Sequence, residues 1–189
     1  MISSLRTIVV IFGILLSLPS CAGESKTIED IKIQFSMWQP IIKKNQKNAT
    51  VIYRYAWGNN FEKEEWSRNP IKSDEKRLAQ KFTLIKNKIG SWVYKEEFSF
   101  SGDWIIASEH YYDREGKLFF VLWKMNTFQA EEPATIEKKL YFDKQGNVVR
   151  KLIAAYKINT TQEAKVNFAD RPVVYEASFT KQDFLEYLR

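Results

Sequence analysis

The chain has 189 residues and a formal net charge of +6, with 44% apolar residues, 15% aromatics, one histidine and one cysteine. That length suits one domain with a sizeable core, and the apolar content excludes a disordered chain. A single cysteine excludes internal disulfides and cysteine zinc sites, and a single histidine excludes a metal shell built on imidazoles. The positive residues are interleaved with acids, as in Lys95-Glu96-Glu97 and Glu137-Lys138-Lys139, with no run of five like charges. A dedicated nucleic-acid surface is therefore not expected.

Residues 1–20 carry Arg6 and then an apolar run from Ile8 to Leu18, too short to cross a bilayer and followed by small residues. This reads as a secretory signal peptide. It ends Leu18-Pro19-Ser20-Cys21, which resembles the lipobox of bacterial lipoproteins. The resemblance implies cleavage before Cys21, a diacylglyceryl group on its sulfur and an acyl chain, such as palmitate, on its amine. Two or more chains give stable membrane anchoring where one does not. Ala22, standing where an inner-membrane retention signal places Asp, implies the outer membrane. Cleavage after Ala22 by the ordinary signal peptidase is the alternative, and it would release a soluble protein. Removal of residues 1–20 leaves 169 residues and takes away only Arg6 among the charges, so the mature net charge is +5. Residues 21–26 then read as a lipidated polar tether and 27–189 as a single α+β domain.

Thr27 offers an N-cap before the acids Glu29 and Asp30. Ile28, Ile31, Phe35, Trp38 and Ile42 follow at helical spacing, so the periodicity predicts an amphipathic N-terminal helix. Pro40 is expected to kink or end it near Gln39. Thr50–Trp57, rich in β-branched and aromatic residues, predicts a first strand. The stretch 58–75 reads as a long loop with a helical turn near Phe61–Trp66, and long loops are candidate contact regions. Trp57 and Trp66 at its ends, together with Trp123, are the candidate binding aromatics. From Leu78 the pattern is a meander: strands 78–88, 91–100, 103–112, 117–126, 136–142 and 147–157, with turns at Ile89-Gly90 and Ser101-Gly102. Beyond it, 173–178 reads as a strand, and Thr180 with Asp183 caps a short C-terminal helix over 181–188.

The strongest signal is a hairpin used twice. Tyr111-Tyr112-Asp113-Arg114-Glu115-Gly116 recurs thirty residues later as Tyr141-Phe142-Asp143-Lys144-Gln145-Gly146. Asp at the first position and Gly at the fourth suit a type I turn closed by a left-handed glycine, so Asp113, Gly116, Asp143 and Gly146 are turn formers. The expected pairs are Tyr112 with Leu118 and Tyr111 with Phe119, then Phe142 with Val148 and Tyr141 with Val149. The return strand 118–123 is apolar on both faces, which predicts an interior strand. On these residues the chain is similar to uncharacterised lipoproteins of the Bacteroidota with the same paired hairpins, and loosely to MORN-like hairpin repeats. The resemblance implies a hairpin sheet and brings no catalytic residues.

The expected architecture is therefore α+β: one twisted antiparallel sheet of six to eight strands, with an N-terminal helix and a short C-terminal helix. No catalytic set, cofactor motif or metal cluster is legible. His110 lacks a nucleophile elbow to serve, and the seven glycines form no phosphate loop. The leading expectation is an envelope lipoprotein with a non-enzymatic role, binding a protein, glycan or apolar ligand through an open sheet face or the 58–75 loop. The alternatives are a hydrolase of envelope polymers acting through carboxylates such as Glu97, Glu109 or Asp113, and an inhibitor of an envelope-attacking enzyme.

Overall fold

A computed structural model describes residues 21–58, 61–128 and 132–166, with side chains from Thr27 onward. Helix α1 (Cys21–Asn45) and a short 3-10 turn (Gln46–Asn48) precede eight strands: β1 (Thr50–Trp57), β2 (Lys63–Ser67), β3 (Arg77–Asn87), β4 (Gly90–Phe98), β5 (Trp104–Tyr112), β6 (Leu118–Thr127), β7 (Ala134–Phe142) and β8 (Val148–Lys157). All pairings are antiparallel in one sheet of order β2-β1-β3-β4-β5-β6-β7-β8. The signal peptide, the 173–178 strand and the 181–188 helix lie outside the described residues.

Alternation along the strands sorts side chains onto two faces. On one face the row Ile85, Trp92, Tyr111, Phe120 and Tyr141 runs across five strands. Ile28, Ile31 and Trp38 of α1 bury this row, with Phe35 in edge contact with Tyr111 and Phe120 at 5.2 and 4.8 Å. The opposite face holds Ile52, Phe82, Leu84, Val93 and Tyr112, continuing into Val121, Trp123, Met125, Ile136, Leu140 and Phe142. Val166, the last described residue, packs against this second cluster. Residues 119–121 of β6 are thus buried on both sides, as the apolar run implies.

Four expectations need correction. Thr27 lies inside α1 rather than at its start, and the helix continues through Pro40 to Asn45. Proline in a helix interior costs roughly 3 kcal/mol. Burial of Trp38 beside it, and of Ile41 and Ile42 in part, offsets that at about 1.5–3 kcal/mol for each fully buried side chain. The 58–75 stretch contains strand β2 in place of a helical turn. Its Glu64 pairs with Arg54 of β1 at 2.5 Å, its Glu65 with Lys76, and its Trp66 ring packs 5.6 Å from Phe82. The β3–β4 hairpin reverses through Lys88-Ile89, with Gly90 already paired to Asn87.

The last correction concerns register in the repeated hairpins. Tyr112 pairs with Leu118 and Phe142 with Val148 as expected, and Asp113 and Asp143 each donate a backbone N–H to the carbonyls of Lys117 and Asn147 at 2.9 Å. One step further the register shifts, so Tyr111 faces Phe120 and Tyr141 faces Arg150. Each hairpin carries a bulge, the extra residue being Phe119 or Val149. The bulge brings both Phe119 and Phe120 into the cluster under α1. Gly116 and Gly146 have φ of 81° and 88°, the left-handed conformation the turn requires.

Candidate binding surface

Helix α1 packs on the sheet near its β5–β6 and β7–β8 turns, and among the described residues no other helix or strand lies over the rest of that face. Two cross-strand rows lie next to the helix. One is Thr83, Tyr94, Glu109, Leu122, Lys139 and Leu152; the next is Lys81, Glu96, Ala107, Lys124, Glu137 and Ala154. Lys124 is exposed, as is Leu152 on edge strand β8. Opposite charges meet within the second row, Lys81 with Glu96 at 2.9 Å and Lys124 with Glu137 at 3.1 Å, and between the rows, Lys139 with Glu137 at 2.8 Å. Burial pulls the Glu137 carboxyl upward, but the two lysines outweigh it and hold the group below its ordinary value. Lys139 is correspondingly held above its own by Glu137.

Where this strip meets the helix, polar groups are locked in place. Trp92 Nε1 donates to Glu109 Oε2 at 3.0 Å, the Tyr111 hydroxyl donates to the same oxygen, and Gln39 Nε2 of α1 donates to the Tyr111 hydroxyl at 3.5 Å. The Trp92 and Tyr94 rings stack 5.8 Å apart, and the Tyr94 hydroxyl donates to Glu96 at 3.2 Å. Burial, reinforced by Glu96 and Glu109, pushes the Tyr94 phenol up to about 12; burial and Glu109 push Tyr111 up as well. Both phenols are therefore hydrogen-bond donors at neutral pH, and neither is poised for proton transfer.

The carboxylates considered for hydrolysis are not brought together. Glu109 belongs to the helix-side face, whereas Glu97 lies on the opposite one, held by Lys95 at 3.1 Å. Asp113 is in the turn, accepting the Lys117 N–H at 2.8 Å. His110 is 4% exposed on the face opposite α1, and burial, with Lys95 nearby, lowers its pKa to about 4. It is a packed neutral imidazole. Among the described residues no cluster of three or more His, Cys, Asp or Glu side chains is arranged for a metal, and no helix is long and apolar enough to cross a membrane.

The three tryptophans singled out as binding aromatics are neither together nor free. Trp57 is half-buried with Lys76 Nζ 4.7 Å from its ring centre, Trp66 is half-buried under the Arg54 guanidinium at 5.9 Å, and Trp123 is buried with Lys138 at 5.0 Å. Each presents a ring already occupied by a cation of the same chain, which leaves little π-face for a sugar. Trp123 lies on β6, across the sheet from β1 and β2. An open sheet face was expected from sequence, but not which residues would make up the strip. Its charges read as scattered surface residues until the strand registers align them, and the one local sign was the alternation Glu137-Lys138-Lys139. Comparison with protein-family models, with curated proteins and with solved structures finds no match.

Proposed function

We propose that this chain is a lipid-anchored protein of the bacterial envelope, held at the outer membrane through Cys21, that binds a protein partner without catalysing a reaction. The observation that carries the reading is the strip beside α1, where tyrosine, glutamate and lysine side chains alternate across neighbouring strands and are held by ion pairs and hydrogen bonds. Fixed donors, ion pairs and half-exposed aliphatics suit the polar rim and small apolar patches of a protein interface.

Two experiments test the parts separately. Labelling cells with a palmitate analogue is expected to tag the wild-type chain and not Cys21→Ser, and an unlabelled wild type removes the anchor. Capture from solubilised envelopes is expected to recover a defined partner with the wild type and to lose it with Lys124→Glu/Lys139→Glu. A partner retained by that variant removes the strip from the interface.

A further inference from the structure

We infer that the carboxyl-terminal segment 167–189 docks on the face of the sheet opposite α1, over the cluster around Trp123, Met125 and Ile136. A sheet face in contact with water is lined by polar or half-exposed side chains. This one is not. Phe82, Val93, Val121 and Ile136 are each 2% exposed or less, as dry as Trp38 and Tyr111 at the contact with α1. Burial of that degree needs a second layer against the face. Helix α1 does not supply it, because its buried residues all belong to the cluster on the other side. Among the described residues, Val166 is the one member of the two opposite-face clusters that comes from outside the strands.

The path of the chain after β8 leads onto this face. Tyr156 bridges Glu163 in antiparallel sense, the Lys157 N–H donates to the Gln162 carbonyl at 2.9 Å, and the Ala164 N–H donates to the Ala155 carbonyl at 3.0 Å. The chain therefore doubles back along the outer edge of β8. Alternation counted from that bridge puts Val166 on the same side as Ile153, away from α1. There Val166 packs against the Trp123 cluster. It is the last described residue before the segment, so the segment starts where the uncovered apolar surface begins.

Length and composition suit the task. Twenty-three residues follow Val166, and helical spacing over 181–188 sets Phe184, Leu185 and Leu188 on one side with Glu186 on the other. Extended, residues 167–180 reach about 46 Å. Eight strands at about 4.8 Å spacing are roughly 34 Å wide, so reach does not limit where the apolar stripe lands. The position of Val166 sets it over β5–β8. The inference is independent of the partner-binding reading, because it concerns the face which that reading does not use.

The test uses the two methionines of the chain from residue 21, which lie on opposite sides of the sheet: Met37 on α1, 50% exposed, and Met125 on β6, 8% exposed. In that chain carrying Cys21→Ser, a nitroxide is attached through Glu186→Cys, and methyl spectra of labelled methionine are compared before and after the nitroxide is reduced. Paramagnetic broadening falls steeply with distance. The expected result is loss of the Met125 signal while the nitroxide is oxidised, with Met37 little changed and with the thermal melt of the unlabelled parent retained. Broadening of Met37 in place of Met125, equal broadening of both, or broadening of neither overturns the inference. A chain ending at Val166 provides the second measurement: it is expected to melt lower than the full chain and to bind a hydrophobic dye that the full chain excludes. An unchanged melt without dye binding also overturns the inference. The methyl experiment uses the full segment, so it decides the question even where the shortened chain does not fold.

Discussion

His110 gives the sharpest physical test of the packing, because it is the chain's only histidine and one of its most buried polar side chains. Its pKa falls from an ordinary 6.5 to about 4 on folding, first because burial disfavours the imidazolium and then because Lys95 faces it from β4. The unfolded chain therefore takes up a proton as pH falls through 6.5 while the folded chain does not until about pH 4. Unfolding binds protons in that window, so stability rises with pH across it and is lost as pH falls. A depression of about 2.5 units corresponds to roughly 3 kcal/mol, at 1.36 kcal/mol per unit. The assay is urea unfolding of the wild type and His110→Gln between pH 7.5 and 4. Carboxylate titrations are common to both chains and cancel in the difference. The wild type is expected to lose about 3 kcal/mol relative to the variant over this range, and proton NMR of the single imidazole is expected to show a midpoint near 4 in the folded state. A midpoint near 6.5 with a flat difference refutes the buried placement.

Further outcomes follow from the same geometry. Gly146→Ala meets no atom within 4 Å and carries only the left-handed backbone penalty of about 1–2 kcal/mol, whereas a Cβ on Gly90 would lie 2.0 Å from the Tyr112 carbonyl oxygen, so Gly90→Ala should lower the urea midpoint much further. Pro40→Ala restores a helical N–H at an exposed position and should stabilise the fold by about 1–3 kcal/mol in the same assay. Trp123→Ala empties a buried site and should cost about 3–5 kcal/mol, with the half-buried Trp57→Ala costing distinctly less; the reverse order would return Trp123 to the surface.

The hairpins were legible because their determinants are local. Asp and Gly at fixed offsets specify a reversal whatever surrounds them, so Tyr112–Leu118 and Phe142–Val148 follow from sequence. The bulge one step later was not legible. It adds one unpaired residue to β6 and to β8 while keeping both hairpins paired, and no residue type at Phe119 or Val149 announces it. Strand β2 was missed for a different reason. Lys63-Glu64-Glu65 has weak strand preference, and what holds it is Arg54, Lys76 and Phe82, brought close only by the sheet. Pro40 misled because helix propensity is a local cost and the burial of Trp38 against the sheet is not local. The tryptophans misled because aromatic content alone does not say which rings lie beneath a lysine or arginine. The candidate strip was invisible for the most general reason: Lys81, Glu96, Lys124, Glu137 and Lys139 come from four strands, and only strand register makes them one surface.

The most direct measurement of the binding reading is site-specific photo-crosslinking in intact cells, with a benzophenone side chain at Leu122 or Leu152 on the open strip and at exposed Ile153 on the opposite face of the same edge strand. The account predicts one defined protein adduct from Leu122 and Leu152 and none from Ile153. No adduct from the strip, or an adduct from Ile153 alone, would contradict it.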